Sequence, residues 1–309
     1  MRPLILLAAV LLSTPAAGQT IDPATKMRID RILKATPLID GHNDLPWALR
    51  QDHDSRIDGL ASGSATRSSP LMTDMARLRE GRVGGQLWSV YISAATKGDE
   101  AIRQTIEQID TLDRLIRAYP ADLEWARSAD DMVRIHKAGR IGSMAGIEGG
   151  DQIGNNLAAL RQFYRLGVRS MTLTHSRTTD WADSATDEPR HDGLSPFGIK
   201  VVGEMNRLGM LVDLSHVSAA TARDAIAASR APVIFTHSDA YAINPHPRNV
   251  PDEVLRLLPA NGGVVMVSFA LAGLRHPGVQ IRDPECVAKT YPKFFHDLGT
   301  LVAQQTTGN

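Results

Sequence analysis

Histidines and carboxylates follow short apolar segments at five places in this chain of 309 residues. The segments end in "DGHND", "GIEGG", "TLTH", "VDLSH" and "IFTHS", which present His42 with Asp44, then Glu148, His175, His216 and His237. One histidine at a strand end is usually a hydrogen-bonded structural residue, but four of them at successive strand ends indicate a shared site. Imidazole nitrogen and carboxylate oxygen are the usual zinc ligands where thiolate is absent. The pattern therefore predicts a metal centre.

The number of these ligands favours two metal ions. His42 and Asp44, two positions apart, point to the same side of an extended segment and can bind one ion together. A single catalytic zinc needs fewer ligands, because it keeps one position open for water. Two ions that share a carboxylate, about 3.5–4 Å apart, fit the set better. Glu148, between glycines in "IEGG", is the best bridge, since glycine lets backbone and ions approach closely.

Strands that alternate with helices must position these residues, which implies a parallel sheet. The predicted strands are 38–41, 83–92, 141–147, 169–174, 210–214, 232–236 and 263–269. The predicted helices are 22–35, 99–118, 155–166, 196–208, 219–228 and 251–258. Seven strands approach the eight of a (β/α)8 barrel of the TIM type, in which the carboxyl ends of the strands converge on one mouth.

Composition excludes some partners and indicates export. With 34 basic and 34 acidic side chains, nothing suggests a nucleic-acid partner. Residues 1–19 resemble a signal peptide, with an apolar run that is too short for a transmembrane anchor, so we expect a periplasmic or secreted protein. A buried N-terminal helix is the alternative. The single cysteine, Cys286, excludes an internal disulfide.

Six motifs, taken together, resemble the membrane dipeptidase (renal dipeptidase) family, peptidase family M19. They occur in the family's order over about residues 25–270, which we take within a barrel domain of residues 20–270. The motifs are "DGHNDLPW" (40–47), "GIEGG" (146–150), "MTLTHS" (171–176), "LVDLSHVS" (211–218), "IFTHSDAY" (234–241) and "RNVPDEVL" (248–255).

The resemblance implies a (β/α)8 barrel that uses two zinc ions and a metal-activated water to hydrolyse dipeptides, including those with a C-terminal D-residue. By this resemblance, His42 and Asp44 look like ligands of one zinc, His216 and His237 look like ligands of the other, and Glu148 looks like the catalytic bridge. A homodimer is a further expectation from the family.

Two more residues take roles from the resemblance. His175 is similar to the residue that contacts the substrate and polarises the scissile carbonyl. Arg248, in "RNVP", is similar to the one that receives the terminal carboxylate of the dipeptide, for which an arginine fork is well suited. Asp213 and Asp239 could also be ligands, but we expect them instead to orient the histidines, and His246 is expected to be structural.

The resemblance stops after "NGGVVMVSFA" (261–270), and residues 271–309 form a divergent or truncated tail. The family's eighth strand, with its Asp-containing end, has no counterpart there, so we expect a barrel that lacks its last strand–helix unit. A truncated, catalytically impaired metal-binding member of the family is therefore the alternative function. Another binuclear barrel amidohydrolase would carry "HxH" on the first strand, where this sequence has His-Asn-Asp.

Overall fold

The computed structural model describes residues 22–64 and 71–266. The predicted signal peptide (1–19) and the predicted tail (271–309) lie outside these residues, so both stay predictions. One compact unit, Ile29–Ser268, contains the sheet described below.

The core of the fold is a parallel sheet in which every strand pairing runs in the same direction. Its strands are β1 (Leu38–Asn43), β2 (Val83–Tyr91), β3 (Leu123–Trp125), β4 (Ile141–Glu148), β5 (Val168–Thr172), β6 (Leu211–Asp213), β7 (Ile234–Phe235) and β8 (Val264–Val265). The order across the sheet is β1-β2-β4-β5-β6-β7-β8. The short strand β3 pairs with the start of β4, along the edge that β5 continues.

Helices fill most connections between these strands. They are α1 (Pro23–Ala35), α2 (Leu45–Asp52), α3 (Met75–Glu80), α4 (Gly98–Ala118), α5 (Ala129–Lys137), α6 (Leu157–Arg165), α7 (Pro196–Leu208), α8 (Ala219–Ala228), α9 (Asp252–Leu255) and α10 (Leu258–Asn261), with one turn of 3₁₀-helix at Gly150–Ile153. No helix in the described ranges is long and apolar enough to cross a bilayer.

Local sequence explains where helix α7 begins and ends. Ser195 accepts a hydrogen bond from the Gly198 amide, which caps the first turn, and Pro196 takes a first-turn position that needs no amide hydrogen. Gly209 follows the last turn with a φ of 77°, a left-handed conformation that glycine adopts without strain. The helix therefore returns the chain to β6 at a defined point.

The sheet curls so that its first strand approaches the end of β7. A Cβ atom on Gly41, in β1, would lie 2.2 Å from the carbonyl oxygen of Thr236 and 2.8 Å from Sδ of Met266. Only glycine fits such a close approach. The fold is thus a parallel α/β barrel of the TIM type, in which the described residues supply a curved path of seven strands.

All seven predicted strands are present, with ends that differ by a few residues, and residues 267–269 of the last predicted strand lie outside the described residues. Strand β3 and helices α2, α3 and α5 were not predicted, and the predicted helix over 251–258 is instead two short helices, α9 and α10.

Candidate metal centre

The carboxylate of Glu148 lies at the centre of the predicted site, at the last residue of β4. Its Oε1 atom is 3.1 Å from Nε2 of His216, 3.5 Å from Nε2 of His237 and 3.6 Å from Nε2 of His175. Its Oε2 atom is 3.5 Å from Nε2 of His42. The four histidines predicted from separate strand ends therefore surround one buried carboxylate.

The two oxygens of Glu148 face different partners. Oε2 also accepts a hydrogen bond from Oγ of Ser89, at 2.9 Å. On the same side, Nε2 of His42 is 3.3 Å from Oδ1 of Asp44, so the predicted pair at positions i and i+2 does converge. Three histidines thus face Oε1 of Glu148, and the His42–Asp44 pair faces Oε2.

Two overlapping groups of side chains have ligand atoms within 4.8 Å of one another. One contains His42, Glu148 and His237, and the other contains Glu148, His175 and His216. The rings of His42 and His237 have centroids 3.9 Å apart, and those of His175 and His216 are 4.2 Å apart. The family resemblance implies that His216 and His237 bind the same ion instead, and both of their Nε2 atoms approach the same oxygen of Glu148.

The charges of the site depend on burial and on Glu148. Burial alone would lower the pKa of His42, but Glu148, Asp44 and Asp213 together raise it to about 9. Burial lowers the pKa of His216 to about 3 against the pull of Glu148. Burial, with the charge of His42, also lowers the pKa of His237. Thus His216 and His237 are neutral at pH 7 and keep the lone pairs that a metal requires.

An unpartnered ring nitrogen indicates that these residues fit a metal. Nε2 of His237, which faces Glu148, is buried and has no hydrogen-bond partner among the described residues. A buried polar atom without a partner is costly and calls for an explanation such as an ion. Four imidazoles around one carboxylate are also the donor set that zinc prefers when thiolate is absent.

The backbone at two of the strand ends adopts uncommon conformations. His216 has a φ of 71°, in the left-handed region, where non-glycine residues are uncommon and which recurs at functional sites. Gly149 has a φ of 121°, so it turns the chain sharply after Glu148. A Cβ atom on Gly150 would lie 2.3 Å from the Trp181 ring. The glycines of "IEGG" therefore serve this turn and the packing of Trp181, and their role in the close approach of ions stays a prediction.

Arg248 borders the site and a cavity. Its Nε atom and one terminal nitrogen are buried without a hydrogen-bond partner in the described part of the chain. Burial lowers the pKa of Arg248 to about 10, while Glu148 and Asp213 oppose this effect. The guanidinium is thus charged at neutral pH. The cavity beside it measures about 490 Å³, and its walls include Phe235 and Ala222.

The other residues weighed from the sequence have clear positions. Asp213 is buried at the end of β6, beside the histidines. Asp239 accepts a hydrogen bond from the amide of Ala240, and no contact of its carboxylate with the histidines is found within the described ranges. Nδ1 of His246 accepts a hydrogen bond from the amide of Arg248, which agrees with a structural role.

Ser89 was not predicted as a site residue, and for Tyr91 core packing was preferred over lining the pocket. Ser89 bonds to Glu148, as described above, and Tyr91 places its ring centroid 4.7 Å from that of His175. Both follow Trp88 in β2 at alternate positions, so they share one face of the strand. Trp88 itself is fully buried, as expected for a core residue. The alternation of side chains along β2 could have indicated that Ser89 and Tyr91 share a face, but their residue types alone do not identify that face as part of the site.

A parallel barrel with a carboxylate and four histidines at its strand ends is typical of metal-dependent hydrolases. Residues 26–291 match the family described as membrane dipeptidase (peptidase family M19). The match covers most of the chain, and the chain belongs to this family of metallopeptidases.

Solved structures agree with this assignment. A metallopeptidase from Rhodobacter sphaeroides, liganded with a phosphinate mimic of the dipeptide L-Ala-D-Ala, is 26% identical with a TM-score of 0.68, over 78% of this chain and 76% of that one. The dipeptidase AC, of family M19, is 27% identical with a TM-score of 0.68, over 80% and 76%.

A third comparison shows the fold alone. An amidohydrolase from Pseudomonas aeruginosa is 24% identical with a TM-score of 0.62, over 77% of this chain. The present chain spans 64% of that protein's length.

Proposed function

We propose that this chain is a zinc-dependent dipeptidase that accepts dipeptides with a C-terminal D-residue. The observation that carries the proposal is the position of Glu148 between His42 with Asp44 on one side and His216 with His237 on the other. The Rhodobacter relative, which binds a mimic of L-Ala-D-Ala, supports the substrate class.

The ligand assignment follows the two oxygens of Glu148. His42, Asp44 and Oε2 of Glu148 would hold one zinc ion, and His216, His237 and Oε1 of Glu148 would hold the other. When bound, such ions supply an activated water and polarise the peptide carbonyl. Two zinc ions therefore stay a proposal that rests on this division of ligands.

Arg248 would bind the terminal carboxylate of the dipeptide. Its guanidinium is buried, and two of its nitrogens have no hydrogen-bond acceptor among the described residues. A guanidinium can bind a carboxylate through paired charge-assisted hydrogen bonds. The cavity beside it is of the size of small-molecule sites, and we assign it to the side chain of the C-terminal residue.

His175 would orient and polarise the scissile carbonyl. Its ring lies between those of Tyr91 and His216, and its Nε2 atom is the most distant of the three nitrogens from Oε1 of Glu148. Its side chain is partly exposed, as a substrate-contacting residue must be. An N–H donor at this position would stabilise negative charge on the carbonyl oxygen during attack.

A catalytically impaired, metal-binding member of the family is the second candidate. In the described ranges, Asp44 and Glu148 are carboxylates that contact these histidines, and both are assigned here as metal ligands. As ligands, neither of these two carboxylates would be free to move the proton of the attacking water.

Purified protein, with and without added Zn²⁺, distinguishes the two candidates. The dipeptidase proposal predicts chelator-sensitive hydrolysis of Gly-D-Ala. Two bound ions per chain without turnover would support the second candidate, and cleavage that persists in chelator would contradict the metal mechanism.

The remaining expectations concern the cell and the assembly. Export to the periplasm or medium and a homodimer both stay predictions, and size-exclusion chromatography with light scattering tests the second.

A further inference from the structure

Asp213 forms a saturated hydrogen-bond network beneath the metal centre. Its Oδ1 atom accepts the backbone N–H groups of Ser215 and Thr236, at 3.0 and 3.1 Å. Its Oδ2 atom accepts the hydroxyl groups of Thr172 and Thr236, both at 2.7 Å. These four donors come from β5 and from the segments that follow β6 and β7. They satisfy the acceptor capacity of an ionised carboxylate, which has no proton to donate.

The hydroxyl of Thr236 links this carboxylate to one histidine. A hydroxyl carries a single hydrogen, and the hydrogen of Thr236 is used on Asp213. Oγ1 of Thr236 also lies 2.8 Å from Nδ1 of His237. Two acceptors cannot share this contact, so Nδ1 of His237 must carry the hydrogen and donate it. Nε2 of His237 is then left with its lone pair.

We propose that Asp213 acts through Thr236 as a positioning residue, holding His237 as its Nδ1–H tautomer with the Nε2 lone pair aimed at the metal centre. Nε2 is buried, lies 3.5 Å from Oε1 of Glu148 and has no hydrogen-bond partner among the described residues, as this tautomer requires. A metal-binding histidine is usually supported directly by a carboxylate. Here one hydroxyl lies between the two, and we call the chain Asp213–Thr236–His237 the relay.

A second contact fixes the backbone of the same histidine. The amide of His237 donates to Oγ of Ser215 at 3.0 Å, and the amide of Ser215 donates to Asp213. Thus Asp213 determines both the ring tautomer of His237 and, through Ser215, the direction in which the strand end presents it. The consequence for metal binding rests on the proposed function, but the tautomer is a property of the metal-free chain.

Nitrogen NMR of the metal-free protein tests the tautomer directly. Protein labelled with ¹⁵N at histidine is recorded at pH 8, above the ordinary histidine pKa of about 6.5, and His237 is assigned by its loss in His237→Gln. We expect Nδ1 of His237 to be protonated in the wild type and in Thr236→Ser. In Thr236→Val, which has no hydroxyl, we expect the Nε2–H form to appear.

Zinc affinity provides the second readout. Thr236→Val should bind Zn²⁺ roughly 10- to 100-fold more weakly than the wild type, and Thr236→Ser should stay close to the wild type. Thr111→Val is a matched control, because it removes another buried hydroxyl, on α4 and outside this network. It should change neither the tautomer nor the affinity.

The outcomes separate this proposal from the dipeptidase proposal. An Nε2–H tautomer in the wild type would overturn the relay, and so would a Thr236→Val protein that keeps both tautomer and affinity. An Nδ1–H tautomer in a protein without turnover would leave the relay supported and count against the dipeptidase function alone.

Discussion

Replacing Glu148 with glutamine tests the bridge. The variant keeps the size of the side chain but exchanges one of two carboxylate oxygens for an amide nitrogen, which cannot serve as an anionic ligand. Oε1 faces three imidazoles at 3.1–3.6 Å and Oε2 faces His42 at 3.5 Å, so either orientation of the amide removes an oxygen from one side. We therefore expect fewer than two Zn²⁺ ions per chain.

The size of the effect on kcat/KM can be estimated from the transition-state stabilisation that a metal ion provides. Lewis-acid stabilisation is worth several kcal/mol of transition-state energy, and each 1.36 kcal/mol is a factor of ten in rate. Loss of about 4 kcal/mol predicts a fall of roughly 10³-fold in kcat/KM for Gly-D-Ala. Glu107→Gln, on the surface of α4, is the matched control and should keep full activity. Two ions per chain and activity within tenfold of the wild type in Glu148→Gln would refute the bridging role.

Three further predictions address binding, specificity and pH. Arg248→Lys keeps the charge but loses the fork, so KM for Gly-D-Ala in steady-state assays should rise roughly 10- to 100-fold with a smaller change in kcat; an unchanged KM would exclude Arg248 as the carboxylate site. Ala222→Leu narrows the cavity and should lower kcat/KM for Gly-D-Phe at least about fivefold more than for Gly-D-Ala, whereas equal losses would place the side chain elsewhere. In chelated protein, the raised pKa of His42 stabilises the fold below about pH 6.5, and this stabilisation is lost as the pH rises toward 9. The lowered pKa of His216 destabilises the fold as the pH falls from about 6.5 toward 3. The pKa of His237 is lowered as well, in the same direction. Denaturant unfolding should therefore show a stability maximum near pH 6.5, with slopes of up to about 1.4 kcal/mol per pH unit for each histidine involved, and a flat profile would contradict these charges.

The strand ends of the site could be predicted from the apolar segments and from the polar residues that follow them. Each apolar segment is followed by a histidine or carboxylate, and a parallel sheet brings such ends to one edge. His42, Glu148 and His216 were found in this way, and the structure brings them together. The pairing of ligands to individual ions came only from the family resemblance, since in physical terms it depends on which oxygen of Glu148 each ring faces.

The missed elements are short or irregular. Strand β3 has three residues, too few for an alternating pattern to be recognised. Helix α5 carries a signal that could have been used, because Ser128 accepts a hydrogen bond from the Asp131 amide as an N-cap. The predicted helix over 251–258 is interrupted at Arg256 and Leu257. Helix α9 ends before these two residues, and α10 begins after them with Pro259 in its first turn.

The network around Asp213 illustrates a deeper limit of sequence reasoning. An orienting role for Asp213 was expected, but the route through the hydroxyl of Thr236 was not. Threonine after a buried strand is common, and its hydroxyl gains a role here only because β6 and β7 place Thr236 and Asp213 2.7 Å apart. Such a contact can be recognised only when the alignment of the neighbouring strands is known.

Metal content and turnover measured on the same sample test the central claim most directly. Purified protein is dialysed against Zn²⁺, its metal content is determined by elemental analysis, and hydrolysis of Gly-D-Ala is followed before and after chelation. We predict two zinc ions per chain, with turnover that chelation abolishes and Zn²⁺ restores. A protein that hydrolyses the dipeptide without metal, or that binds no zinc at this centre, would contradict the account.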